Sequence, residues 1–94
     1  MTEVQINLQE TVGDIIDLEY KMLSLIREET STSRKLTLFR FFGKLINEPE
    51  KSTVSKIVLK EFEKDIVIDY VSKVEQYNKL CDKILEITRV AKKF

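Results

Sequence analysis

The sequence predicts an all-α fold, an elongated three- or four-helix bundle with a long C-terminal helix. Two glycines and one proline in 94 residues are too few for an all-β protein, which turns every ~8–12 residues. Apolar residues instead recur at spacings of three and four, the repeat of an amphipathic helix. A chain of this length corresponds to one domain, which we expect to span residues 1–94.

The first helix is expected to run from Leu8 or Thr11 to Glu28 or Glu29. Thr11, followed three residues later by Asp14, resembles a capping box with aspartate in place of the usual glutamate or glutamine. The apolar positions after this start form a stripe that would face the core. The stripe contains Leu8, Val12, Ile15, Met22 and Ile26, and is widened by Ile16 and Leu23.

The second helix is expected to cover about Arg34 to Asn47, because the hydroxyl run at residues 30–33 favours a cap or a turn. So short a connection predicts an antiparallel neighbour. Most apolar side chains of this helix occupy one arc of ~160°, wide enough to touch two neighbours, or one neighbour and a partner. The arc contains Leu38, Phe39, Phe41, Phe42, Leu45 and Ile46, whereas Leu36 lies outside it.

Pro49 predicts the end of the second helix and, with Ser52 as the alternative cap, the start of the next. No glycine or proline follows, but the apolar face changes between residues 54–62 and residues 67–84. Either the helix breaks at residues 63–65, with Asp65 as the new cap, or one helix uses opposite faces along its length. The sequence favours the break.

The C-terminal helix is expected to be longer than the bundle that it joins. Residues 66–92 would form a rod of ~40 Å, whereas a compact domain of this size has a radius of gyration of ~12–13 Å. We expect the first helix to pack antiparallel to this rod, with two short helices folded against the pair. The free length of the rod needs a partner, or a second copy of the chain, to bury it.

The residues that are missing exclude most catalytic sites. Without histidine the chain cannot build a Ser-His-Asp or Cys-His arrangement or a histidine zinc site. Cys81 is the only cysteine, so it can form neither an internal disulfide nor a cysteine zinc site. Two glycines cannot form a phosphate-binding loop of the known types. We therefore predict that the chain is not an enzyme, and expect no cofactor, metal or small-molecule substrate.

Carboxylates are the remaining candidates for chemistry. Glu61, Asp65 and Asp69 follow one another at a spacing of four, so on a continuous helix they could hold a hard cation or raise one another's pKa. Lys64 and Lys73 lie within a turn of this row, which favours a solvated charged surface. Asp14 and Asp17 are interpreted in the same way, and Cys81 lies on an apolar stripe typical of an inert thiol.

The charges are unevenly distributed along a chain whose net charge is zero. Residues 1–32 contain seven acids and two bases, whereas residues 33–60 contain seven bases and two acids. The acidic segment could face the basic one inside the bundle, or the basic segment could bind phosphate or an acidic protein. The basic side chains are Arg34, Lys35, Arg40, Lys44, Lys51, Lys56 and Lys60.

Part of the basic segment loosely resembles a helix–turn–helix. Ser52-Thr-Val-Ser-Lys-Ile-Val58 is typical of the start of a recognition helix, whose hydroxyl groups contact bases and phosphates. Gly43 is too far from Val54 for the usual turn, and zero net charge argues against a strong electrostatic footprint. The alternative function is therefore a DNA- or RNA-associated protein of a replication, transcription or defence complex that uses residues 33–64.

The leading hypothesis is a non-catalytic protein–protein interaction module, an accessory or adaptor subunit of a larger cytoplasmic assembly. A single cysteine favours a reducing compartment, and we expect no signal peptide, membrane-spanning segment or membrane partner. Tyrosine suits an interface because it offers a large contact area at low entropic cost. The expected partner-binding residues are Tyr70, Tyr77, Leu80, Leu85 and Ile87 of the C-terminal helix, with Phe39, Phe41 and Phe42.

Overall fold

Three helices form an elongated bundle in the structure, a computed structural model that describes residues 2–49 and 59–92, with side chains as far as residue 89. The helices are α1 (Glu3–Glu28), α2 (Thr32–Asn47) and α3 (Glu61–Lys92), and the described ranges contain no strand. The radius of gyration is 16.5 Å and the principal extents are 59 × 24 × 18 Å. The prediction of an elongated all-α fold with a long C-terminal helix is confirmed.

Helix α1 begins earlier than predicted. Thr2 caps it, because its hydroxyl accepts a hydrogen bond from the Gln5 N–H while the Gln5 side chain accepts one from the Thr2 N–H. The predicted start at Leu8 or Thr11 is therefore wrong. Thr11 is buried inside the helix, where its hydroxyl donates to the Asn7 carbonyl at 2.7 Å instead of capping a new helix. The end at Glu28 is as predicted.

Helix α2 follows after a short connection. Ser31 caps it by accepting a hydrogen bond from the Arg34 N–H at 3.3 Å, so the hydroxyl run acts as the start signal that the sequence indicated. The helix ends at Asn47, two residues before Pro49. Its beginning at Thr32 and its end both lie within two residues of the predicted bounds.

The break that the sequence favoured lies at residues 59–60, which are not helical, rather than at residues 63–65. Helix α3 begins at Glu61, and Glu63 supports this start by accepting a hydrogen bond from the Lys60 N–H at 2.8 Å. Asp65 lies within the continuous helix and is exposed, so its predicted role as a cap is wrong. The predicted cap Ser52 and the apolar residues 54, 57 and 58 lie outside the described residues.

Helices α1 and α3 run antiparallel, as predicted. Asp14 lies beside Lys73 and Glu19 lies beside Tyr70, so position along α1 rises as position along α3 falls. Helix α2 packs against α1 along the half of α1 that is nearer the α1–α2 connection. The buried side chains of α2 join those of α1 and α3 in one core. The core contains Leu18, Met22, Leu38, Phe41, Phe42, Leu45, Leu59, Val67 and Tyr70.

Candidate interaction surface

A network of three charged side chains joins the helices at one end of the bundle. The Arg34 guanidinium donates to Glu29 at 2.7 Å and also to Glu63, which is almost fully buried. Burial alone would raise the pKa of Glu63, but the hydrogen bonds from Arg34 and from the Lys60 N–H outweigh it and hold the pKa below its usual value. The Ser31 N–H, followed by Arg34, lowers the pKa of Glu29. The network is structural, since both carboxylates face a partner within the chain.

A second polar contact lies within the core. The Tyr70 hydroxyl donates to the Glu19 carboxylate at 3.1 Å, and the Tyr70 side chain is only 3% exposed. Burial, together with the negative charge of Glu19, raises the pKa of Tyr70 from 10.0 to about 12. The hydroxyl therefore stays protonated and tied to α1.

Replacing Tyr70 by phenylalanine should lower the free energy of unfolding by about 1.5–3 kcal/mol, the usual contribution of a hydrogen bond to a charged group. The folded-state pKa of Tyr70 lies above its unfolded value, so the native protein loses stability as the pH rises from about 10 to about 12. Urea unfolding at several pH values checks both effects. The Tyr70→Phe variant should not show the fall in stability that ionisation of Tyr70 causes at high pH. The control Tyr20→Phe, at a position that is 65% exposed, should behave as wild type.

An open groove lies where α2 ends and no longer covers α1 and α3. Its volume is about 350 Å³. The helices α1 and α3 each contribute several apolar side chains to it, and Ile46 and Pro49 line the α2 end. The complete lining is Val12, Ile15, Ile16, Ile46, Pro49, Tyr70, Val74, Tyr77 and Asn78.

An exposed apolar face continues from this groove along α1 and α2. Ile16 of α1 and Ile46 of α2 both line the groove. Leu23 and Phe39 lie seven residues from them, Leu23 along α1 and Phe39 along α2, each towards the α1–α2 connection. Because the helices are antiparallel neighbours, these two rows run side by side. We call this surface the α1–α2 face: Val12, Ile16, Leu23, Phe39 and Ile46, bordered by Tyr20 and Leu36, all between 36% and 65% exposed.

The C-terminal end of α3 is a second exposed apolar region. From the Asp14–Lys73 and Glu19–Tyr70 contacts, the first residue of α1 lies level with about residue 85 of α3. The rest of α3 therefore projects beyond α1 by roughly 10 Å. Leu85 and Ile87, on this end, are 58% and 60% exposed.

The structure divides the predicted partner-binding residues into two groups. Four of them are buried within the chain and serve the core: Tyr70, Leu80, Phe41 and Phe42. Leu85, Ile87 and Phe39 are exposed, and Tyr77 lines the open groove. The sequence prediction had not included Tyr20, Leu36 or Leu23. Leu36 carried a signal, since it lay outside the apolar arc of α2.

The basic side chains predicted to contact nucleic acid also differ in their surroundings. Arg34 is held by Glu29 and Glu63, and its pair with Glu29 joins the acidic segment to the basic one. Lys35, Arg40 and Lys44 are exposed on α2 and form no ion pair with another described residue. Lys60 is exposed, with its Nζ 5.9 Å from the centre of the Phe62 ring. Lys51 and Lys56 lie outside the described residues.

The acidic row on α3 is solvated. Glu61 pairs with Lys64 at 3.3 Å on the surface, and Asp65 and Asp69 are exposed. Among residues 2–49 and 59–89, no three acidic or cysteine side chains are grouped as metal ligands would be. Cys81 is half-buried. None of the described helices combines the length and apolarity needed to cross a membrane.

The chain matches no protein-family model, and no curated protein or solved structure matches it significantly.

Proposed function

We propose that this chain is a non-catalytic protein–protein interaction module, an accessory or adaptor subunit of a larger cytoplasmic assembly. The observation that carries the proposal is the grouping of most exposed apolar side chains of the described residues into two surfaces, the α1–α2 face and the end of α3, with Ile6, Phe62 and Ile68 outside them. Single exposed apolar residues are ordinary on proteins, whereas continuous apolar patches mark interaction sites.

The end of α3 supports contact with a protein that encloses it. Leu85 and Ile87 are two residues apart, so they point about 160° away from each other around the helix. Both side chains are more than half exposed. A helix that is apolar on opposite sides is typically buried on more than one side. The matching partner surface is therefore a cleft or a pair of helices lined with apolar side chains.

A role without catalysis is supported by the residues that are present. The chain lacks histidine, its single cysteine is half-buried, and Glu29 and Glu63 are engaged by Arg34. The remaining acids of α3 lie on a solvated surface. Such groups have ordinary roles in solubility and helix stability.

Replacing both Leu85 and Ile87 by serine should abolish capture of the partner protein while leaving the helical circular dichroism close to that of wild type. The reason is that both side chains are exposed and contribute little to the core. The measurement is affinity capture of the tagged chain from its native cell extract, with and without nuclease, read by mass spectrometry. The matched control replaces their exposed neighbours, Glu86→Gln with Thr88→Ser, and should retain the partner.

Equal capture by the Leu85/Ile87 variant and the control would remove the end of α3 from the interface. Failure of the wild-type chain to retain any other protein would contradict the accessory-subunit role.

Association with DNA or RNA, within a replication, transcription or defence complex, is the second candidate function. The observation in its favour is three exposed basic side chains on α2, with Arg40 and Lys44 on one side of the helix and Lys35 on the opposite side. In the same experiment, partners that disappear on nuclease treatment would favour this candidate. Binding through phosphates would also weaken steeply as salt is raised.

A further inference from the structure

We propose that the α1–α2 face is a self-association surface, through which two copies of the chain form a two-fold symmetric dimer. In this dimer α1 of each copy packs on α2 of the other. The inference rests on the proposed function, because it names a second copy as the partner of one of the two exposed surfaces.

The size of the face matches a dimer interface. Seven large apolar side chains, between 36% and 65% exposed, lie together on α1 and α2. The two aromatic side chains expose roughly 100 Å² or more each at these fractions, and the five aliphatic ones expose less. With their charged neighbours, they approach the roughly 800 Å² per partner that a standard interface buries.

Opposite charges border the two sides of this face. Helix α1 carries six acids and two bases, and α2 carries four bases and no acid. On α1, the exposed acids Glu10, Asp17 and Glu28 share one edge, about 60–80° beyond Tyr20. On α2, Arg40 and Lys44 lie about 40–80° beyond Leu36. Lys21 lies beside these acids and Arg27 lies on the face between Leu23 and Tyr20, so the α1 edge is acidic in balance, whereas the α2 edge is basic.

This arrangement of charges selects one symmetry. A two-fold axis perpendicular to the helices would bring like edges together, acidic on acidic and basic on basic. A two-fold axis parallel to the helices instead lays the acidic edge of each copy on the basic edge of the other. Complementary potentials of this kind select a partner and its orientation.

The same axis also gives a favourable helix arrangement. Since α1 and α2 of one chain are antiparallel, α1 of each copy becomes antiparallel to α2 of its partner. The four helices then form an antiparallel bundle, a common packing of amphipathic helices. Ile16 and Ile46 line the same groove. In the proposed dimer this places Asp17 of one copy close to the level of Lys44 of the other.

A charge-exchange experiment tests the dimer. One variant carries Glu10→Lys with Asp17→Lys, and the other carries Arg40→Glu with Lys44→Glu. All four positions are exposed and form no ion pair with another described residue. Sedimentation at concentrations up to about 100 µM should show a dimer for wild type. Each variant alone should dissociate at least about tenfold more readily.

Mixing the two variants should restore the dimer, because every contact then again joins opposite charges. A matched control on α3, Asp82→Lys with Glu86→Lys, should dimerise as wild type. Circular dichroism verifies that each variant is folded. A wild-type chain that remains monomeric, or variants that do not recombine, would overturn the inference. Capture of another protein through Leu85 and Ile87 is measured separately, so either proposal can fail without the other.

Discussion

Replacing Phe42 by alanine should lower the free energy of unfolding by about 4 kcal/mol, the largest effect that we expect from a single side chain. Phe42 is 1% exposed and belongs to the core shared by all three helices. Its ring packs against that of Phe41 with 5.7 Å between centroids, a tilted arrangement favourable to aromatic pairs. Truncation removes these contacts and leaves a cavity that the helices can only partly fill.

Phe39→Ala is the matched control, made three residues away on the same helix. Phe39 is 62% exposed, so in dilute monomer this change should cost less than about 1 kcal/mol. Urea unfolding followed by circular dichroism measures both values. Equal destabilisation by the two changes would contradict the assignment of one ring to the core and the other to the surface.

Arg34→Met should lower the free energy of unfolding by about 3 kcal/mol at neutral pH, because it leaves the carboxylate of Glu63 buried without its partner. The methionine keeps the aliphatic part of the side chain but removes both charged hydrogen bonds. Chemical denaturation at pH 7 measures the loss. Lys64→Met is the control, because its pair with Glu61 is largely exposed and should be worth well under 1 kcal/mol.

The contribution of this network should depend on pH. The folded-state pKa values of Glu63 and Glu29 lie below the ordinary value of 4.5, so the native state favours the ionised carboxylates. The stabilisation is present above the unfolded-state pKa and is lost as the pH falls through the lowered folded-state values. The difference in stability between wild type and Arg34→Met should therefore narrow below about pH 4.5. A difference that stays constant down to pH 3 would contradict the ionised state of Glu63.

Local signals in the sequence predicted the helix boundaries where a cap or a breaker marks them. Pro49 marked the end of α2, and the hydroxyl run at residues 30–33 marked its start. The start of α1 was misplaced, although Thr2 and Gln5 have the spacing of a capping box. The Thr11–Asp14 pair was preferred, yet inside a helix a threonine can donate to the carbonyl four residues earlier, as Thr11 does.

The break before α3 was predicted a few residues too late, for a reason that lies outside the helix. The change of apolar face around these residues favoured a junction at residues 63–65, with Asp65 as the new cap. Glu63 is instead buried, because Arg34, 29 residues earlier in the chain, supplies its counter-charge. A buried carboxylate is tolerated only with such a partner, and no local pattern identifies a partner at that distance.

By itself, the sequence determined the all-α class, the long C-terminal helix, and a count of three or four helices, of which the described residues form three. It also excluded sites that need a histidine side chain. These properties follow from residue counts and from spacing along a helix. Only the tertiary structure decided which side of each wide apolar arc is core. Phe42 is buried and Phe39 is exposed because α2 can place only part of its apolar arc against its neighbours, and where those neighbours lie is set by long-range packing.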